Sequence, residues 1–341
     1  MTTKPKTLAD IARLAGVSRT TASYVVNGQA GARRISPATV ARVEAVIAEH
    51  DFSVDIRAAA LRRGKTRTLG LIVPDLENTS YARLAKQIER GLRAHGYQLV
   101  IVDSDDDAAT ERALVAGLQA RKIDGLIVAS CLAESDALYP EIQAAGTPVI
   151  ALDRPLSTTH LRSVASSNRG AATRLTKAVL AHRAAPAPPG DILWLDAVAE
   201  LSITQRRRAG FFDAMADQPV TAHTRCGPRY DRATGAGLLR EHLSQHTWPA
   251  AIVTAAYPLL DGALDVLLDP RTTQAMRDMP QLATFGDHRL LDFLPTTVHT
   301  MAQQHDRVAE RAVTRLLAAL TGPIDPGRDR LERVLRQRPP R

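Results

Sequence analysis

Residues 7–28 read TLADIARLAGVSRTTASYVVNG, and the chain is best read outward from this stretch. Thr7 and Asp10 form a T-x-x-D capping box ahead of Leu8, Ile11, Ala12 and Ala15, a spacing that predicts a short amphipathic helix. Gly16 interrupts it, Val17 is the apolar residue of a tight turn, and Ser18 is placed to cap a second helix over Arg19–Val26. Asn27-Gly28 ends that helix. Ser36-Pro37 opens a third, with Val40, Val43, Val46 and Ile47 as its apolar stripe. Two short helices joined at Ala15-Gly16-Val17-Ser18 make a helix-turn-helix. In such units the second helix enters the DNA major groove, led by its N-terminal residues. Here that face carries Arg19, Thr20, Ser23 and Tyr24. Arginine can bond two acceptors on guanine, and hydroxyls reach bases or phosphates.

The charge distribution agrees. The 341 residues hold 44 Lys/Arg against 36 Asp/Glu, a net +8, and residues 1–65 hold eleven of the bases and only five of the acids. Most of the excess therefore sits on a small basic head, which suits a polyanion partner. The hydrophobic fraction of 45% excludes general disorder. Cys131 and Cys226 lack a CxxC partner and form no disulfide framework. The start has no apolar signal core, and no run of about 20 apolar residues exists to span a membrane. The expected location is the cytoplasm, in association with the nucleoid.

Beyond residue 65 short apolar strands alternate with helical patterns. Strands are expected at Leu69–Val73, Leu99–Val102, Leu126–Val128 and Val149–Leu152, and again at Ile192–Leu195, Ala251–Thr254 and Leu282–Phe285. Helices are expected at Tyr81–His95, Ala108–Arg121, 168–183, 202–216, 231–244 and 259–269. Two such series predict α/β units on parallel sheets, arranged as two lobes around a cleft. Ligands of open α/β sheets bind just past the carboxyl ends of strands. Those positions hold Asn78, Ser80, Asp103, Ser130, Asp153-Arg154, Asp196, Tyr257 and Asp287, joined by Arg207 from a helix start. The set is polar, with two arginines able to hold a phosphate. There is no GxSxG, P-loop, HExxH or early GxGxxG, so the chain does not read as an enzyme. No cofactor or metal is expected.

The stretch 7–28 resembles the headpiece of LacI-family repressors, and DIRAAALRR at 55–63 resembles that family's hinge helix. The resemblance implies a minor-groove wedge at Leu61 with Ala58 one turn before it. Val54-Asp55 stands where the family usually has Pro-Asn. The set expected at DNA is Thr7, Ser18, Arg19, Thr20, Thr21, Ser23, Tyr24, Asn27, Arg34, Ala58 and Leu61. The body resembles the family's sugar-binding core, which looks like a periplasmic binding protein. PDLENTSYARLA at 74–85, VIALDRPL at 149–156, AELSITQRRRAGF at 199–211, LATFGDHRLLDFL at 282–294 and MAQQHDRVAERAV at 301–313 resemble its fructose-repressor (catabolite repressor–activator) subgroup.

The fold class implied is a two-lobed periplasmic-binding-protein-like α/β core behind an all-α helix-turn-helix headpiece. Residues 1–54 form the headpiece and 55–65 the hinge helix and linker. The core, 66–341, divides into a first lobe of about 66–165 plus 299–326 and a second of about 166–298 plus 327–341. The resemblance further implies a phosphorylated fructose effector, foremost fructose 1-phosphate. Its expected contacts are Asn78, Ser80, Ser130, Asp153, Arg154, Asn168, Arg207, Tyr257 and Asp287. The protein is expected to be a homodimer, or a tetramer, on double-stranded operator DNA, with effector closing the cleft and releasing the DNA. A regulator answering another sugar or sugar phosphate, or a sugar-phosphate-binding protein without DNA function, are the alternatives. RLERVLRQRPPR at 330–341 reads as a final strand and a basic tail.

Overall fold

A computed structural model describes residues 7–50, 52, 65–182, 190–273 and 278–341. The chain divides into two compact units, 1–67 and 68–341. In the first, α1 (Leu8–Leu14), α2 (Arg19–Val26) and α3 (Pro37–Glu49) follow the expected order. Each start is fixed by a side chain. The Asp10 amide donates to Thr7 Oγ1 at 3.3 Å while the Thr7 amide donates to Asp10 Oδ2 at 3.1 Å. Ser18 Oγ accepts from the Thr21 amide at 3.0 Å, and Ser36 Oγ from the Thr39 amide at 3.3 Å. Such caps contribute about 1 kcal/mol each, a large share for helices too short to persist alone. Gly16 turns the chain between α1 and α2 at φ +63, a backbone region costly for a residue with a Cβ. Ile11, Ala15, Val25 and Val43 close the small core, with Val17, Ile35, Val40, Val46, Ile47 and Phe52 packed around it.

The second unit is built from two sheets. Its elements are β1 (Thr68–Val73), α4 (Thr79–Ala94), β2 (Gln98–Asp103), α5 (Ala108–Ala120), β3 (Gly125–Val128), α6 (Leu138–Ala144), β4 (Val149–Leu152) and β5 (Arg162–Ser166). There follow α7 (Arg169–His182), β6 (Ile192–Ala197), α8 (Ser202–Met215), β7 (Ala222–Gly227), α9 (Arg232–Leu243), β8 (Ala251–Thr254), α10 (Tyr257–Leu267), α11 (Pro270–Thr273) and β9 (Gln281–Phe285). The chain ends through β10 (Val298–Ala302), α12 (His305–Ala319), β11 (Gly327–Leu331) and β12 (Val334–Arg338). Among the described residues the first sheet runs β11-β5-β4-β3-β1-β2 and the second β12-β10-β9-β8-β6-β7. Every pairing is parallel except β10 with β12. Strands buried on both faces explain the unbroken apolar runs, as in Leu71-Ile72-Val73 and Ile192–Leu195.

Helices cover both faces of each sheet. In the first lobe α4 and α12 pack Leu84, Ile88, Leu92, Val308, Ala312 and Leu316 against Leu69, Leu71 and Ile127. In the second, Trp194 and Phe211 meet with ring centroids 5.0 Å apart in the core under α7 and α8. Helices α9 and α10 approach through glycines: a Cβ on Gly262 would sit 1.8 Å from the Arg232 carbonyl oxygen, and one on Gly235 2.2 Å from that of Leu259.

The topology corrects the expected division of the core. Residues 298–302 are β10, inside the second sheet beside β9, rather than part of the first lobe from 299. Residues 327–331 are β11, which pairs β5 in the first sheet, rather than part of the second lobe. The C-terminal stretch thus makes two strands, one for each lobe. Sequence alternation shows that a strand exists, but only long-range pairing decides which sheet it joins. The chain consequently crosses between lobes three times: after β5, after β10 and after β11.

Candidate effector cleft and DNA-reading helix

The carboxyl ends of the strands meet the second and third crossings around one cleft that is partly open to solvent. Of the residues expected there, Asn78, Ser80, Asp153, Arg154, Arg207, Tyr257 and Asp287 line it. Asn78 caps α4 through the Ser80 amide at 3.1 Å, which fixes Ser80 at the cleft edge. Asp153 follows β4 at φ +59, a left-handed conformation that costs a non-glycine residue energy and is typical of ligand sites. Its Oδ1 accepts from Gln303 Nε2 at 2.8 Å.

Arg207 reaches in from α8. It donates from Nε to Asn168 Oδ1 at 2.9 Å and from Nη1 to the Ala255 carbonyl at 2.7 Å, and lies 4.5 Å from the Phe285 ring centroid. Asn168 therefore holds Arg207 and does not line the cleft. Ser130 stands outside it: its hydroxyl donates to the buried carboxylate of Glu111, which also accepts from Tyr139 and, at 2.8 Å, from the Cys131 amide. It braces the first lobe and is absent from the cleft wall. Arg154 lines the cleft but directs its two terminal nitrogens to Asp106. Burial works against its charge, yet Tyr81, Asp106 and Asp153 together hold the group above its ordinary value. Asp196 is likewise committed elsewhere, to Trp194 Nε1 at 2.6 Å and to Arg208 at 2.6 and 2.7 Å. The Asp287 carboxylate accepts from Arg336 and Arg338 of β12, both at 2.6 Å.

Sequence reasoning missed the residues on the crossings after β10 and β11. Arg333, between β11 and β12, is 5% exposed and lies 5.4 Å from the Phe285 ring centroid. Its acidic neighbour is Asp153, at 3.5 Å, and its Nε has no hydrogen-bond partner. Burial first, and then the charge of Arg207, push Arg333 down to about 10. Gln303 and His305 flank the second crossing. Ser80 Oγ donates to Gln303 Oε1 at 2.9 Å and lies 2.9 Å from His305 Nε2. Burial, with Arg83 and Arg333 nearby, lowers His305 to about 4, so its ring is neutral at pH 7. The two lobes are latched at the rim by Arg83 Nη1 to the Asp287 carbonyl at 3.2 Å, by Arg206 to Glu134 at 3.4 Å, and by an Arg229–Asp105 pair. A single basic residue between two strands of the basic tail carried no local signal of burial, so Arg333 was readable only as surface charge.

In the headpiece, Arg19 and Thr20 stand exposed at the start of α2, with Ser23 and Tyr24 half-buried one turn on. Thr7 and Ser18 serve as caps, and Thr21 Oγ1 lies 2.8 Å from Ser18 Oγ. Asn27 Nδ2 donates to the Ser23 carbonyl at 2.6 Å. Arg34 is exposed at φ +52. Arg33, which was not singled out, lies over the Tyr24 ring at 4.9 Å and extends the basic face. Ala58, Leu61 and Val54-Asp55 lie outside the described residues.

A helix-turn-helix with an outward arginine, followed by a two-lobed core with a charged cleft, defines a ligand-responsive DNA-binding regulator. Residues 7–55 match the profile of bacterial regulatory proteins of the lacI family, and residues 66–275 that of periplasmic binding proteins and the sugar-binding domain of the LacI family. The chain belongs to the LacI family: it is a sugar-responsive, DNA-binding transcription regulator and not an enzyme. It is 41% identical to the fructose operon regulatory protein of Vibrio cholerae, over 97% of this chain and 99% of that one. It is equally 41% identical to the catabolite repressor/activator of Escherichia coli K12, over 97% of this chain and 98% of the other. Among solved structures, the Cra transcriptional dual regulator from Pseudomonas putida in complex with fructose 1-phosphate aligns with TM-score 0.73 and 42% identity, covering 80% of this chain and 98% of that one. The operator-bound lac repressor dimer shares the fold, with TM-score 0.80 at 22% identity. No helix among the described residues is long and apolar enough to cross a membrane.

Proposed function

We propose that this regulator binds operator DNA as a homodimer and is released by a phosphorylated fructose, foremost fructose 1-phosphate. One observation carries the effector class. Arg207 and Arg333 flank the same Phe285 ring deep in the cleft, with Asp153 as the nearby acid. Two buried guanidiniums against one carboxylate leave positive charge that an entering phosphate dianion compensates, through charge-assisted hydrogen bonds. Asp153, Asp287, Ser80, Asn78 and Tyr257 supply polar groups for sugar hydroxyls. Arg154, committed to Asp106, buttresses the wall. The fructose 1-phosphate complex of the Pseudomonas putida relative supports the same ligand.

The coupling follows from where these groups sit. Arg333 and Gln303 lie on two crossings, and Asn168, on the third, holds Arg207. A ligand that draws on them biases the angle between the lobes, and β1 is the first strand of the core after the hinge segment in the sequence. Effector and DNA then weaken each other by the same factor, on the order of 5–150-fold. The two headpieces of a dimer would read a pseudo-palindrome, since protein symmetry is mirrored in the site. Titration calorimetry with fructose 1-phosphate, fructose 1,6-bisphosphate and free fructose tests the reading, paired with gel shifts on promoter fragments. Phosphate esters should bind and should dissociate a salt-sensitive DNA complex. Equal affinity for free fructose would overturn the phosphate role of the two arginines.

A further inference from the structure

Three histidines converge at the end of the second sheet opposite the effector cleft. His223 is the second residue of edge strand β7, and His242 lies in the last turn of α9. His246 follows one turn later, its amide bonding the His242 carbonyl at 2.9 Å, so the pair shares a helical face at i and i+4. One ring nitrogen from each of the three lies within 4.8 Å of the others. Ring centroids are 4.4 Å apart for His223 and His246, 4.8 Å for His242 and His246, and 5.2 Å for His223 and His242. His242 is fully buried, and neither of its ring nitrogens has a hydrogen-bond partner. Buried polar atoms are nearly always satisfied, so an orphaned imidazole facing two others calls for an explanation. Asp191, just before β6, places Oδ2 2.8 Å from His223 Nε2. A carboxylate on one ring nitrogen orients the ring and leaves Nδ1 for a ligand, the arrangement that surrounds many metal-bound histidines.

We propose that His223, His242 and His246 form a metal site for a borderline divalent transition ion of the zinc class, with Asp191 as its orienting carboxylate. Imidazole donors favour zinc, copper and nickel over magnesium or calcium, which take oxygen. Tetrahedral coordination at about 2.0–2.1 Å requires the three nitrogens to close to roughly 3.4 Å, within reach of ring rotations. The site sits at the amino-terminal ends of β6 and β7, roughly 13 Å along the strand from the end that faces the effector. Its consequence is structural: the ion fastens the edge strand β7 to the end of α9 and closes the flank of the second lobe.

The test uses the full chain, stripped with chelator and titrated with zinc chloride against a chromophoric competitor. One equivalent bound tighter than micromolar, with a rise in the thermal midpoint, is expected. His223→Asn and His246→Asn should each weaken binding by about 100-fold or more and remove that rise, and Asp191→Asn, which leaves all three rings, by about 10-fold. Cobalt in place of zinc should give the intense visible bands of a tetrahedral nitrogen site, a readout that holds even if a histidine variant folds poorly. No tight equivalent, an octahedral cobalt spectrum, or unchanged affinity in the His223 and His246 variants would each overturn the assignment.

Discussion

Replacing Arg333 by Met separates a residue kept for ligand from one kept for the fold. The guanidinium is buried beside Arg207, with Asp153 at 3.5 Å, and burial pushes it down from its ordinary value to about 10. At about 1.4 kcal/mol per tenfold change, holding that charge costs the folded state roughly 3 kcal/mol. The sign is set by the lowered value. A base whose folded value lies below its unfolded one is a full burden wherever both states are protonated, hence at pH 7, and the burden fades only as pH rises past about 10. Met keeps much of the contact with Phe285 and removes the charge. The ligand-free core should therefore gain up to about 3 kcal/mol, and its thermal midpoint should rise by roughly 2 °C or more per kcal/mol. The same change removes charge-assisted bonds to phosphate of about 1.5–3 kcal/mol, so fructose 1-phosphate should bind about 10- to 150-fold more weakly. Free fructose should be little affected. Calorimetry and thermal denaturation read both effects. A midpoint that falls by several degrees, together with unchanged affinity for the phosphate ester, would refute the reasoning.

Three further outcomes are expected. Arg19→Ala should weaken specific DNA binding by about 1–3 kcal/mol in a gel shift while effector calorimetry stays unchanged. Gly262→Ala puts a Cβ 1.8 Å from the Arg232 carbonyl oxygen and should cost at least about 2 kcal/mol, a drop of roughly 4 °C or more in thermal midpoint. His305 takes up a proton near pH 6.5 when unfolded but only near pH 4 when folded, so it lowers stability as pH falls from about 6.5 toward 4 and not above that window. His305→Gln should therefore lose less stability than wild type between pH 7 and pH 5 in denaturant titrations, and an identical decline would count against the burial assigned to that ring.

The headpiece and the α/β alternation were legible in the sequence because caps, turns and apolar periodicity act within a few residues. Thr7 with Asp10, Ser18 with Thr21, and Ser36-Pro37 each set a helix start whatever lies farther along the chain. The strand-end rule brought Asn78, Ser80, Asp153, Tyr257 and Asp287 to the cleft for a similar reason, since parallel strands in one lobe share a direction. Partners over long separations were not legible. Ser130 went to Glu111 and Arg154 to Asp106, because a buried carboxylate takes whichever donors packing brings to it. Arg333 looked like tail charge until β11 and β12 were drawn into different sheets and left it between them, over Phe285. The His223, His242 and His246 cluster is likewise invisible along the chain, where His223 is separated from the other two by most of α9. The sequence alone determined that this protein reads DNA through one small unit and senses a ligand through another. Which charges meet in the sensor was decided by tertiary structure, because pairing energy depends on burial and distance, and neither is a property of sequence spacing.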